Sequence, residues 1–304
     1  MPSQTIIIDC DPGIDDAVAL LLALASPDEL DLLAVTAVCG NVSLDLTERN
    51  ARRVLALAAR PEVPVYPGAG RPIMIAHHGA TVHGDDGLGG VPLPEPASAP
   101  QQRGAVDYLL ETLAGRPGEI SLCCLGPLSN PGLATVQRPE ILRSTRQVVL
   151  MGGAAGRGNV TPHAEFNFHV DPHAAQLVLR SGAEVVMLGL DVTRQAPITE
   201  ARLRQLAAVE TAAARAAHDM LAFYGQGDTA LHDPCVIAYL LRPQLFSGRR
   251  CWVDVETLDE ERFGQSRVQP VSPYGQRQAN ALVIDRVDAD GLFELLCERL
   301  ARLP

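Results

Sequence analysis

The feature that most constrains this chain lies near its N-terminus. An apolar β-type run at residues 5–8 leads straight into Asp9-Cys10-Asp11-Pro12-Gly13-Ile14-Asp15-Asp16, and a helical run follows over residues 15–25. Four carboxylates within eight residues repel one another, and burying them together is costly unless a cation compensates. A carboxylate set of this kind suits a hard cation, calcium or magnesium, and calcium tolerates six to eight oxygens in irregular geometry. The spacing is not that of an EF-hand, because the glycine and the distal glutamate are misplaced. Helix capping by Asp15 and Asp16 accounts for one or two of the four carboxylates and leaves the others unexplained. Cys10 is a poor nucleophile here, since neighbouring carboxylates oppose thiolate formation.

The rest of the chain alternates short apolar runs with longer helical ones. Strands are expected at 32–38, 120–125, 147–151, 184–188, 250–255 and 281–284. Helices are expected at 46–60, 105–113, 173–180, 200–222 (as one or two), from 234 onward, and at 290–299. Strands that are apolar throughout, alternating with helices, predict an α/β fold: a doubly wound, mainly parallel central sheet covered on both faces. A hydrophobic content of 47% in 304 residues is enough for one large core, and no linker interrupts it, so a single domain over 1–304 is expected. Residues 68–103 break the rhythm. They are rich in Gly, Pro and His, and the stretch from Val82 to Gly90 reads as a mobile lid or a plain surface loop.

In open parallel sheets, ligands bind beyond the carboxyl ends of the strands. The polar residues that follow the strands therefore converge: the Asp cluster, Gly40-Asn41, Gly126-Pro127 with Ser129-Asn130, Met151-Gly152-Gly153 with Asn159 and Glu165-Phe166-Asn167, and Asp191. Gly152 to Gly158 lacks the Lys-Ser/Thr of a phosphate-binding loop and reads as a turn at the site. Asp233, in Leu231-His232-Asp233-Pro234, is either a helix cap before a proline or a further ligand for the cluster.

Other observations bound the function. A net charge of -11 makes nucleic acid and anionic membranes poor partners. Seven cysteines, an odd number without a CxxC pair, read as reduced thiols in a cytoplasmic protein. No signal-like or membrane-spanning run is apparent.

Taken together, the blocks resemble the inosine–uridine-preferring nucleoside hydrolases. Asp9 through Ala17 is similar to the family's DxDPGxDDA motif. Cys39-Gly40-Asn41, Gly126-Pro127-Leu128-Ser129-Asn130, Met151-Gly152-Gly153 with Asn159 to Asn167, and His232-Asp233-Pro234 follow in order. The resemblance implies hydrolysis of the N-glycosidic bond of ribonucleosides to free base and ribose. It implies a calcium ion (Ca2+) held by Asp11, Asp16, Asp233 and the backbone carbonyl of Leu125. Asp11 corresponds to the general base for the attacking water, and Asp9 to a supporting carboxylate behind it. Asp15, Asn41, Asn159, Glu165 and Asn167 match ribose-binding positions, and Met151 lines the sugar pocket. His83 matches a loop histidine close to the nucleoside. His232 lies near the leaving base, either as its acid or as a group that positions it. A homodimer or homotetramer is usual in the family. Purine-specific relatives tend to carry a tryptophan where this chain has His83, which favours pyrimidine or mixed preference over purine preference. Tyr224 is a candidate to meet the base, whereas Trp252, in an expected strand, is expected to pack.

Two other functions stand beside this one. A haloacid-dehalogenase-type phosphatase also places DxD after its first strand, but Gly13-Ile14-Asp15 follows here in place of a small hydroxyl residue. A non-catalytic nucleoside-binding protein would not need to retain Asp11, Asp16, Asp233, Asn167 and His232.

Overall fold

The computed structural model describes residues 3–271 and 278–304. Its strands are β1 (Gln4–Cys10), β2 (Leu30–Ala37), β3 (Val65–Pro67), β4 (Ile120–Cys124), β5 (Gln147–Met151), β6 (Val185–Leu188), β7 (Phe246–Val255), β8 (Ser266–Pro270) and β9 (Ala281–Val287). The helices are α1 (Ile14–Leu24), α2 (Leu44–Leu57), α3 (Ala105–Gly115), α4 (Ser129–Gln137), α5 (Phe166–Val170), α6 (Pro172–Arg180), α7 (Leu190–Thr193), α8 (Glu200–Ala207), α9 (Ala212–Tyr224), α10 (Pro234–Leu241) and α11 (Ala289–Leu300).

The strands form one sheet in the order β3-β2-β1-β4-β5-β6-β9-β7-β8. Pairing is parallel from β3 through β9, and β7 then runs antiparallel to both β9 and β8. β1 is bounded by β2 on one side and β4 on the other, so the strand order reverses beside it. That reversal opens a crevice at the carboxyl ends of β1 and β4.

Alternation along β1 explains the two layers. Ile6 and Ile8 point into the core formed with α1, α2, α9, α10 and α11. Ile7 points the other way, into the core formed with α3, α4 and α6. Each fully buried Ile or Leu in such layers contributes about 2 kcal/mol. α1 is the most enclosed helix: every residue from Ile14 to Leu24 is buried, its two acidic residues included. Its hydrophobic character all round fits a helix with neighbours on every side.

The expected elements are present, with shifts at their ends. The helical stretch at 200–222 is two helices, broken between Ala207 and Ala212. The strand expected at 250–255 begins earlier, at Phe246, as part of the antiparallel edge. Five of these elements were not anticipated, among them the short helices α5 and α7. β3 is only three residues long and ends in proline, β8 is mostly polar, and α4 carries Pro131-Gly132. Pro131 is tolerated because it lies in the first turn, where no intrahelical N–H is needed. Among the described residues no helix is long and apolar enough to cross a membrane.

Candidate active site

A cavity of about 810 Å³ opens in the crevice at the strand ends. Of the residues assigned from sequence, Asp11, Asp15, Asn41, His83, Leu125, Met151, Asn159, Glu165, Asn167, His232 and Asp233 line it. Asp9 and Asp16 are fully buried beneath them.

The floor is built from the β1–α1 turn. Asp16 accepts from the backbone N–H of Gly13 at 3.0 Å and of Asp11 at 3.2 Å, so it does cap α1. Asn41, at the end of β2, ties the turn together. Its backbone N–H donates to Asp11 Oδ2 at 2.7 Å, and its Nδ2 donates to Asp16 Oδ2 and to the Asp11 carbonyl, each at 3.2 Å. The Asp11 carboxylate sits between Gly40 and Gly126. A Cβ at Gly40 would lie 2.0 Å from Asp11 Oδ2, and one at Gly126 would lie 2.2 Å from Oδ1. The glycines of the Cys39-Gly40-Asn41 and Gly126-Pro127 blocks are thus needed for close approach.

Asp15, Asp16 and Asp233 offer carboxylate oxygens that all lie within 4.8 Å of one another. This tightest group includes Asp15, which the family motif assigns to the sugar, and not Asp11. Asp233 occupies the N-cap position of α10, before Pro234, yet its side chain makes no capping hydrogen bond. The helix-cap alternative for Asp233 therefore fails, and its carboxylate is turned to the cluster. Burial, then neighbouring Asp15, pushes the Asp16 carboxyl up to about 7. Burial, then neighbouring acids, raises Asp11 and Asp233 well above the usual carboxylate range. Ionised carboxylates held within 4.8 Å of one another in a buried site repel strongly unless a proton or a cation lies among them. A set of buried oxygens in this state fits a hard divalent cation, which would take the place of the protons.

Behind the floor, Asp9 Oδ2 accepts from Thr36 Oγ1 at 2.5 Å and from Asn130 Nδ2 at 2.8 Å. Its Oδ1 has no partner, and burial pushes the Asp9 carboxyl up to about 7. Burial and then the surrounding acids, Asp16 first, push the Cys10 thiol far up, which removes it as a nucleophile.

One wall comes from the loop after β5. Glu165 caps α5, accepting from the N–H groups of Asn167 and Phe168 at 2.8 and 3.1 Å, and from Gly153 at 2.8 Å. Asn167 Nδ2 donates to the carbonyls of Leu125 at 2.6 Å and Met151 at 3.2 Å. The Leu125 carbonyl keeps a second lone pair. Asn159 Oδ1 accepts from the Phe166 N–H at 2.9 Å. The glycine-rich turn is not a phosphate cradle. Its Ala155 and Gly156 N–H groups are taken by the Asp191 carboxylate at 2.5 and 3.0 Å, and Arg194 holds the carbonyls of Arg157 and Gly158. Asp191, which follows its strand as the other polar residues do, serves the loop and not the cavity.

The opposite wall carries the histidines. His83 Nδ1 accepts from the Ile14 N–H at 3.0 Å, so the neutral ring bears its proton on Nε2. Tyr224 stacks on His83 at 5.0 Å between centroids and 23° between planes. The stretch from Val82 to Gly90 is no free lid: Leu88 at its centre is fully buried in the core. His232 is held at both nitrogens, Nδ1 to Thr193 Oγ1 at 2.7 Å and Nε2 to Asp228 Oδ2 at 3.2 Å. Burial alone would lower the His232 imidazolium, but the Asp228 carboxylate outweighs it and raises it above the ordinary value. Neither Asp228 nor Thr193 was picked out from sequence as a partner of His232. Asp228 lies four residues before His232 in an irregular turn, where no periodicity marks a side chain as inward. Trp252 donates to Asp254 Oδ2 at 2.7 Å, within β7, as a packing residue does.

The comparisons decide the family. Residues 6–294 match the family model of the inosine-uridine preferring nucleoside hydrolases. The chain belongs to that family. It is a nucleoside hydrolase, a glycosidase acting on N-glycosyl compounds. It is similar to an uncharacterised protein of Schizosaccharomyces pombe, 43% identical over 98% of this chain and 99% of the other. It is also similar to the pyrimidine-specific ribonucleoside hydrolase RihA of Shewanella woodyi, 41% identical over 98% of each chain. Among solved structures, a purine-preferring ribonucleoside hydrolase from Gardnerella vaginalis superposes with a TM-score of 0.90 at 30% identity, covering 98% of each chain.

In this nucleoside hydrolase the Asp228–His232 contact has a measurable consequence. If protonated His232 assists departure of the base, kcat/KM falls as pH rises through the His232 titration. Asp228→Asn removes the carboxylate that favours the imidazolium, so the descending limb moves to lower pH. A pH–rate profile of the variant that matches the wild type would rule out that influence.

Proposed function

We propose that this nucleoside hydrolase uses calcium at the Asp11–Asp16–Asp233 cluster to hydrolyse ribonucleosides, with pyrimidine nucleosides, uridine and cytidine, preferred or accepted alongside purines. The observation that carries this is the meeting of buried, cation-compatible carboxylates with His83 and His232 around one cavity. The Leu125 carbonyl is the proposed backbone ligand beside the carboxylates. Calcium, when bound, neutralises the gathered acids and makes a coordinated water easier to ionise.

The chain's own groups do the rest. Asp11 accepts the proton of the attacking water. Asp15, Asn41, Asn159, Glu165 and Asn167 hold the ribose hydroxyls, and Met151 lies against the sugar, so the anomeric carbon is fixed before bond cleavage. Positive charge grows on the ribose as the glycosidic bond breaks, and the surrounding acidic and amide oxygens stabilise it. His232 supplies a proton to the departing base, while His83 and Tyr224 bound the space the base occupies. Asp9 supports the floor from behind.

The higher identity to relatives named pyrimidine-specific, together with His83, supports the pyrimidine preference; the purine-preferring structural neighbour is the reason to test both. Seven free cysteines, six of them buried, support a cytoplasmic setting. Association as a homodimer or homotetramer is proposed on family grounds and is read directly by light scattering.

An initial-rate panel over uridine, cytidine, inosine and adenosine, without phosphate and with calcium, tests the function. Free ribose is the expected product, fastest from a pyrimidine nucleoside. Turnover that requires phosphate would make the chain a phosphorylase, and binding of all four without turnover would make it a binding protein.

A further inference from the structure

Asn50 lies in the middle of α2, on the helical face shared by Thr47, Ala51 and Val54. Its side chain is buried, at 2% exposure. A buried amide on a core-facing stripe is costly unless its hydrogen-bonding groups are used. Its amide nitrogen is used on two segments far apart in the chain. Asn50 Nδ2 donates to the carbonyl of Pro12 at 3.1 Å and to the carbonyl of Asp86 at 2.8 Å. Pro12 belongs to the turn that carries Asp11 and Asp16. Asp86 belongs to the loop that carries His83.

The loop is shaped to meet that amide. Gly87 has φ +81°, and a Cβ there would lie 2.9 Å from Asn50 Nδ2 and 3.2 Å from the Pro12 carbonyl. Only glycine allows so close a passage in that conformation. The Asp86 carboxylate accepts from the N–H groups of Leu88 at 2.9 Å and Gly90 at 3.1 Å, which sets the turn. The Ile14 N–H reaches His83 Nδ1 at 3.0 Å, a second tie between the same two segments. Leu88 supplies adhesion, but apolar burial is non-directional. The paired amide hydrogen bonds supply the register.

We propose that Asn50 is a positioning residue that fixes the 82–90 loop, and with it His83, onto the Asp11–Gly13 turn. The wall that bears His83 and the carboxylate floor are thereby set as one body. Asn50 does not line the cavity, so it acts through those segments and not on the substrate. The position calls for two N–H donors on one short side chain, and a carboxamide has them. Serine offers one donor. Aspartate would set a carboxylate against two carbonyl oxygens.

The consequence for turnover rests on the proposed nucleoside hydrolysis; the docking of the loop does not. The full-length chain is compared with Asn50→Ser, Asn50→Asp and Gly87→Ala by hydrogen exchange at residues 82–90 and by steady-state kinetics on uridine with calcium. Exchange at 82–90 is expected to rise by about tenfold or more, as a locally opened segment does. KM is expected to rise about tenfold while kcat changes by less than about threefold, with Asn50→Asp the worse of the two Asn50 variants, since the loss is of ground-state placement. A merely structural role would speed exchange through α2 as a whole and would not split KM from kcat. Unchanged exchange at 82–90 in Asn50→Asp and Gly87→Ala overturns the proposal. Should Asn50→Asp fail to fold, Gly87→Ala breaks the same contact from the loop side and decides alone. A wild-type chain without nucleoside turnover would defeat the proposed reaction, while the exchange data would still decide the role of Asn50.

Discussion

Asp11→Asn is expected to lower kcat by about three orders of magnitude, the range for loss of a positioned general base. The same change is expected to leave the cation-free chain at least as stable as the wild type. Both outcomes follow from one side chain. Asp11 is raised well above the usual carboxylate range, by burial first and then by Asp16, so as a carboxylate it is a burden on the empty fold. Asparagine keeps an oxygen for the Asn41 N–H, which donates to Asp11 Oδ2 at 2.7 Å, and it removes the charge. Alanine would remove the acceptor too and strand that N–H, at a cost of about 1–3 kcal/mol. Asp11→Asn therefore separates chemistry from stability, and Asp11→Ala mixes them. Wild-type kcat in Asp11→Asn, with ribose release measured under saturating calcium, would end the assignment of Asp11 as the base.

Removing the cation is the second large effect. With a chelator in excess, activity is expected to vanish, and thermal stability is expected to fall as pH rises. The sign follows from proton counts. Burial holds Asp9 and Asp16 up to about 7, against 3.8 for the free side chain. Between about pH 4 and pH 7 the folded chain therefore keeps protons that the unfolded chain has released, and each such group costs up to about 1.4 kcal/mol of stability per pH unit. A bound cation selects the ionised carboxylates and opposes this trend, so its stabilising effect should be small near pH 5 and largest above pH 7. At a calcium concentration about a thousand times Kd the gain is about 4 kcal/mol, or on the order of 8 °C in Tm for a chain of this length. Calorimetry in chelator and in calcium, at pH 5 and pH 8, reads both slopes. A calcium-induced shift that does not depend on pH would contradict this account of the cluster.

Much of this was legible in the sequence because the signals were local. The Asp9–Asp16 run and the glycines Gly40 and Gly126 lie within a few residues of the strands that deliver them, and Glu165 and Asn167 lie in the one loop that follows β5. The parallel core was legible for the same reason: strands such as Ile120–Cys124 are apolar on both faces and need cover on both. What escaped were pairings across the chain. Thr193 reaches His232 from a separate segment, and Asp228, four residues before His232, sits in an irregular turn where no periodicity marks it as inward. Asn50 did leave a trace, as a carboxamide on the buried stripe of α2, but the reason for it lies in Pro12 and Asp86. The polar edge strand Ser266–Pro270 escaped because its place comes from pairing with β7 and not from its own pattern.

The enclosure of α1 bears on the order of events in turnover. The helix that carries Asp15 and Asp16 presents no face to solvent, so the floor of the cluster is closed from behind. A cation held there enters and leaves through the mouth that also admits the nucleoside. Once the nucleoside is seated, it plugs that route. A cation bound there would then arrive before the nucleoside and leave after it, and saturating substrate is expected to slow its exchange.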